Sequence, residues 1–166
     1  MSYTFEDFEK ALGYTFKDKE LLRLAFTHTT YVFEHNGHHY ESNQRLEFIG
    51  DSVLDLVIGH KLYELKPKVD EGYLSKTRSI VVCERSLSAL ARKLRMGELL
   101  LMGKGETNSG GADKNSTLAD AVESVFAAVL AVVAFATAEF TDIPIFLIVV
   151  LLSSIFKVTV SHSPVH

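Results

Sequence analysis

The sequence predicts an all-α fold. Three observations carry this: apolar residues recur at three- and four-residue spacing along most of the chain, no stretch of any length alternates strictly between apolar and polar, and capping residues and breakers fall where the periodic segments begin and end. With 166 residues, 47% of them hydrophobic and 23% charged, the chain suits one globular domain with an ordinary core.

Phe5, Phe8 and Leu12, then Leu21, Leu22 and Ala25, stand at helical spacing on either side of a Gly13-Tyr14 break, so two short amphipathic helices open the chain. His35 to Tyr40, with Asn36-Gly37 inside it, reads as a polar loop. Ser42 or Asn43 is then placed to cap a long helix from about Gln44 to about Leu65, with Leu46, Ile49, Val53, Leu56 and Val57 as its apolar stripe and Pro67 closing it. Leu74 to Val82 and Glu84 to Arg95 follow as further helices, the second with Leu87, Leu90, Ala91 and Leu94 on one face. Gly103 to Asn115 is a glycine-rich connection, and Ser116 or Thr117 is placed to cap the helix after it.

The single cysteine, Cys83, rules out an internal disulfide and favours a reducing compartment. The polar, acidic N-terminus lacks the pattern of a secretory signal, so a cytoplasmic location is expected. A net charge of −4 argues by itself against a polyanionic partner. Between Leu65 and Lys104, however, nine basic residues (Lys66, Lys68, Lys76, Arg78, Arg85, Arg92, Lys93, Arg95, Lys104) face four acidic ones, enough to track a phosphate backbone or simply to solvate helix faces.

Two acidic pairs stand out. Glu47 and Asp51 lie one turn apart on one face of the long helix, an arrangement that costs a helix about 0.2–0.5 kcal/mol unless something offsets it. A hard divalent cation would, since Mg2+ takes carboxylate oxygens and keeps water or phosphate in its other positions; a surface cluster paired with Arg45 or Lys61 is the plainer alternative. Asp120 and Glu123 share a face inside an otherwise apolar run, where Asp120 can serve the helix N-terminal dipole but a buried, unpaired Glu123 would be costly. If the pairs face each other across a bundle they make a four-carboxylate site of the kind that binds metal inside helical bundles, suited to phosphodiester hydrolysis.

The residues around these pairs resemble a known family. Asn43-Gln44-Arg45-Leu46-Glu47-Phe48-Ile49-Gly50-Asp51 is similar to the ribonuclease III signature, and Leu118-Ala119-Asp120-Ala121-Val122-Glu123 to its second acidic motif. Leu12 to Phe16, Leu21-Leu22 to Thr27-His28, Glu71 to Ser75, and Gly110-Gly111 with Lys114 and Ser116 occur in family order, so the likeness runs from about Phe5 to Val129. It implies a helical bundle like the ribonuclease III endonuclease domain, working as a homodimer on double-stranded RNA and leaving 5′-phosphate and overhanging 3′-hydroxyl ends. It assigns metal ligation to Glu47, Asp51, Asp120 and Glu123, the catalytic role to Asp51 and Glu123, and Mg2+ as cofactor with Mn2+ as substitute. Glu71 becomes an accessory acidic residue, Phe48 an apolar knob in the partner subunit, and Asn43 and Gln44 neighbours of the site. A noncatalytic RNA-binding or scaffold protein that keeps this fold is the alternative.

The chain departs from the pattern in three places. Gln44 stands where the signature usually has glutamate, and Asn115 where proline is frequent. After residues 1–128, the expected catalytic domain, residues 129–166 form an atypical apolar tail, expected to complete or pack on the same domain; no double-stranded-RNA-binding domain is expected, and RNA affinity should be correspondingly weaker. The apolar run from Ile145 to Leu152, extended to Phe156, is shorter than the ~18–20 residues a membrane span needs, and Pro144 argues against one continuous span, so membrane association is the lesser reading. His35, His38 and His39 lack a further ligand nearby and read as a solvated loop. Gly105 and Gly110 have the outer spacing of a phosphate-binding loop, but Gly111 occupies the lysine position, so no nucleotide cofactor is expected. Cys83 and His28 are read as structural.

Overall fold

The structure, a computed structural model, describes residues 2–136. Helix α1 (Phe5–Leu12) begins with a reciprocal cap: Thr4 Oγ1 accepts from the Asp7 amide at 3.3 Å and the Asp7 carboxylate accepts from the Thr4 amide at 3.2 Å. It ends on Gly13, whose φ of 73° is the left-handed conformation that closes a helix, as the Gly13-Tyr14 break implies. Asp18 caps α2 (Lys19–Ala25) through the Leu21 amide at 2.9 Å. Helix α3 (Thr29–Glu34) was not foreseen, because six residues are too few for periodicity to show; it starts on His28, whose Nδ1 accepts from the Thr30 amide at 3.3 Å. That gives His28 a structural role, in line with its sequence reading.

Helix α4 (Gln44–Leu65) has the expected bounds and stops before Pro67, whose ring disfavours helical geometry in the residue preceding it. Its N-terminus corrects the sequence reading. Asn43 holds the cap position in a helical conformation (φ −68°, ψ −13°) without a side-chain cap bond, and the Ser42 hydroxyl donates instead to His39 O at 2.7 Å. Helix α5 (Glu71–Val81) starts three residues earlier than expected because Asp70 caps it through the Tyr73 amide at 2.8 Å. Helix α6 (Glu84–Lys93) stops short of Arg95, whose φ of 54° cannot continue a helix.

The glycine-rich connection is more ordered than its composition suggested. It contains α7 (Lys104–Asn108) and a 3₁₀ turn at Gly111–Asp113. Two backbone amides fasten it to α3: Gly103 donates to Thr30 Oγ1 at 3.1 Å and Lys104 to Glu34 Oε1 at 2.7 Å. Helix α8 (Asn115–Ala136) starts before Ser116 and Thr117, so neither caps it. The helix passes through position 129, where the apolar tail was expected to begin; Pro144 and the run from Ile145 to Phe156 lie outside the described residues.

Helix α8 is the hub, packing on α4, α6 and α2. The main core joins Phe8 and Leu22 of the opening helices, and Phe16 and Phe26 just beyond them, to Leu87, Leu90 and Ala91 of α6 and Ala121, Val122 and Val125 of α8. Phe26 anchors it with edge-on contacts to Phe5 and Phe8 at 5.3 and 5.2 Å, the geometry aromatic quadrupoles prefer. A smaller cluster of Ile58, Leu62 and Val81 seals α4 to α5. Glu9 is buried but satisfied, its carboxylate accepting from the Phe16 amide and from Lys19 Nζ, each at 2.6 Å. Among the described residues extended pairing is limited to one isolated bridge, Thr27 with Leu101, in keeping with the all-α expectation.

Candidate metal centre

The centre sits where α4 crosses α8. Gly50 makes the crossing possible: a Cβ there would overlap the backbone carbonyl of Glu123 and come within 3.0 Å of its Cα. A second tie lies one residue along α8, where the buried Ser124 hydroxyl donates to Asn43 O at 3.2 Å. The same carbonyl accepts the Glu47 amide at 2.9 Å. One acceptor thus links the residue after Glu123 to the residue that carries the α4 carboxylate.

This crossing brings one carboxylate oxygen each from Glu47, Asp120 and Glu123 within 4.8 Å of one another. Asp51 stands outside that trio and is exposed, yet its charge bears on both Glu123 and Glu47. The electrostatics are those of uncompensated like charge. Burial, then Asp51, Asp120 and Glu47, push the Glu123 carboxyl up to about 7. Burial, then Asp120 and Asp51, raise Glu47. Burial also raises Asp120, with Glu84 of α6 adding to it. The pairing that would make this an ordinary surface cluster is absent among the described residues: Lys61 bonds Glu64 at 2.9 Å, and no ion pair reaches any of the four carboxylates.

Glu71, at the first turn of α5, accepts from the Ser75 hydroxyl and is not part of the trio. Phe48 is 74% exposed. Gln44 is exposed, whereas Asn43 is buried with its amide on Thr27 O at 2.8 Å. Gly50, Ser124 and Glu84 were not singled out from sequence. Gly50 left a trace, since an interior helix glycine costs about 1 kcal/mol relative to alanine and so asks for a packing reason; the other two left none.

His35 stacks on Tyr31 at 4.1 Å and His39 meets Phe33 edge-on at 4.6 Å, and among the described residues no metal grouping includes a histidine. Cys83 donates to Ile80 O at 3.2 Å, a structural contact. Several of the nine cations are committed within the fold: Arg78 faces Asp55 at 3.6 Å, Arg95 bonds Glu98 at 2.7 Å, and Arg92 bonds the chain ahead of α8. Lys66, Lys68, Lys76 and Arg85 are exposed.

Three clustered oxygen donors with no cation paired to them among the described residues fit a hard divalent ion, which would replace mutual repulsion by coordination. Fold and site together define an all-α domain with an acidic, metal-competent centre at a helix crossing. A family model described as Ribonuclease-III-like matches residues 18–142, and the chain belongs to that family. Ribonuclease 3 of Pelotomaculum thermopropionicum is 50% identical over 118 residues, covering 71% of this chain and 49% of that one. Ribonuclease 3 of Caldanaerobacter subterraneus subsp. tengcongensis is 51% identical over 121 residues, covering 73% and 53%. This chain therefore spans about half the length of the curated relatives it matches. The nuclease domain of ribonuclease III from Campylobacter jejuni superposes with a TM-score of 0.76 at 37% identity over 93% of this chain and 97% of that one, in a structure concerned with flexibility in the region involved in that domain's dimer formation.

Proposed function

We propose that this chain is a divalent-metal-dependent endonuclease that cuts double-stranded RNA, leaving 5′-phosphate and overhanging 3′-hydroxyl ends. The observation that carries the reading is the trio Glu47, Asp120 and Glu123, gathered on two helices with no neutralising cation among the described residues and with Glu123 raised to about 7. Glu47, Asp120 and Glu123 would hold Mg2+, or Mn2+ in its place, and Asp51 completes the set from one turn along α4. The ion, when bound, supplies a hydroxide at neutral pH and offsets charge on the scissile phosphate. Glu123 is the group best placed to hold a proton near neutrality, and with Asp51 it is assigned the catalytic role. Glu71 is assigned as an accessory acid at the cleft edge, with Asn43 and Gln44 adjacent to the site. The exposed Lys66, Lys68, Lys76 and Arg85 suit a ligand recognised by phosphates and duplex shape.

The working form is a homodimer. Phe48, Ile49, Leu56 and Tyr63 share the face of α4 turned away from the core and are 74, 47, 64 and 71% exposed, a set of large apolar side chains that is better covered than solvated. Phe48 is the knob of this face. Residues 1–128 are assigned to the catalytic domain, and 129–166 are proposed to complete it. The single cysteine suits a cytoplasmic location. Among the described residues no helix is long and apolar enough to cross a membrane.

A noncatalytic scaffold would have no use for three mutually repelling carboxylates at its central helix crossing. The test is incubation of the full chain with long duplex RNA in Mg2+ and in EDTA. Mg2+-dependent shortening that is lost in Glu123→Ala, with that variant still folded, is expected. Intact RNA with folded wild-type protein and ample Mg2+ would refute the enzyme.

A further inference from the structure

The head of α8 is gripped from another helix. Arg92, near the end of α6, donates through Nη2 to the backbone carbonyl of Asp113 and to Oδ1 of Asn115, both at 2.7 Å. One guanidinium nitrogen therefore holds the last turn before α8 and the first residue within it. That first position is the one where proline is favoured, because its fixed φ suits a helix start and its missing N–H would have no intrahelical partner. The backbone here is already shaped for it: Lys114 lies at φ −65°, ψ 136°, the extended conformation that a following proline imposes. Asn115 has no ring to hold that shape. Its side chain is held by Arg92 instead.

We propose that Arg92 is a positioning residue for the carboxylate centre, supplying from outside α8 the restraint that a proline at position 115 would supply from within. Asp120 and Glu123 stand five and eight residues further along the same helix, so the place at which α8 starts sets where they face Glu47. Without a cation, repulsion among the three carboxylates pushes α8 off α4. The Arg92 bonds to Asp113 and Asn115 oppose that push at the N-terminal end, as the Ser124 bond to Asn43 does beside the centre. This inference rests on the metal reading given above.

The test is titration of the full chain with Mn2+, followed by the electron paramagnetic resonance of the free ion, alongside thermal unfolding. Arg92→Ala is expected to raise the Mn2+ Kd roughly 10-fold, the lower end of what loss of an outer partner of a metal site costs. Asn115→Ala, which keeps the Asp113 bond, should raise it less. Arg92→Ala combined with Asn115→Pro should return it to near the wild-type value. The sign is diagnostic, because loss of a positive charge alone would strengthen cation binding. A wild-type Kd in Arg92→Ala, with or without a lowered Tm, overturns the proposal, and so does a double variant as weak as the single one. Glu123→Gln in the same titration separates the two levels: if it binds Mn2+ like the wild type, the metal reading itself fails and the positioning role falls with it.

Discussion

Gly50 of α4 and Glu123 of α8 meet backbone against backbone, and no side chain larger than hydrogen fits between them. The carboxylate trio depends on that approach, since any push at Gly50 moves Glu47 and Glu123 apart together.

Gly50→Ala should therefore be harmful despite alanine's better helix propensity. The propensity gain is about 1 kcal/mol, whereas overpacking costs about 1–3 kcal/mol and more when backbone must shift. Urea unfolding should show a net loss of stability, and metal binding should weaken in the molecules that remain folded. A variant as stable and as metal-competent as the wild type would place the crossing elsewhere.

Stability of the metal-free protein should fall as pH rises through the window from about 4.5 to about 7. Glu123 is raised from its ordinary 4.5 to about 7 in the folded chain, so across that window the folded state holds a proton that the unfolded state has released, and deprotonation favours unfolding. The shift corresponds to at most about 3 kcal/mol, less after solvent screening of a partly exposed group. Glu123→Gln should flatten the slope, as followed by denaturant titrations at stepped pH. Divalent metal should reverse it, with affinity rising over the same window as the proton leaves. A wild-type slope unchanged by Glu123→Gln would assign the proton to another group.

Asp51 should separate from the trio in function. Because it stands outside the group of three, Asp51→Asn is expected to keep measurable Mg2+ binding by calorimetry while losing duplex cleavage. Glu47→Gln or Asp120→Asn should lose both. Equal loss of binding in all three variants would make Asp51 a ligand on a par with the trio instead of the weakest member of the set.

Phe48→Ala should weaken the dimer. A fully buried phenylalanine side chain contributes about 1.5–3 kcal/mol, and a two-fold interface loses two of them. Sedimentation equilibrium should show dissociation at concentrations where the wild type is paired. A wild-type monomer at micromolar concentration would remove the interface.

Long, strongly patterned elements were readable from the chain. Helix α4 kept its expected bounds because Pro67 stops it, but the stripe read from its sequence was not its core face. Ile49 and Leu56 are exposed, and α4 instead buries Gly50, Leu54, Ile58 and Leu62, because the outward face is as apolar as the inward one and periodicity alone does not say which packs. Helix α3, six residues long, and α7, five, were too short to reveal a period, and α7 was further hidden by Gly105 within it. The α4 cap was misread because Ser42 is engaged by the turn before it, a contact local composition does not encode. At the site, the spacing of Glu47 with Asp51 and of Asp120 with Glu123 shows shared faces, and the motif likeness named all four. Which oxygens converge is a tertiary matter, set by Gly50 against Glu123 and by Ser124 reaching Asn43. Asp51, although on the right face, stands outside the trio.

The most direct measurement is a crystal of the full chain soaked in Mn2+ and recorded at the manganese absorption edge. The expected result is an anomalous peak enclosed by oxygens of Glu47, Asp120 and Glu123, at the short separations of about 2 Å that a small hard cation demands. Saturating Mn2+ with no peak at the α4–α8 crossing, in a form that still cleaves duplex RNA, would contradict the central claim.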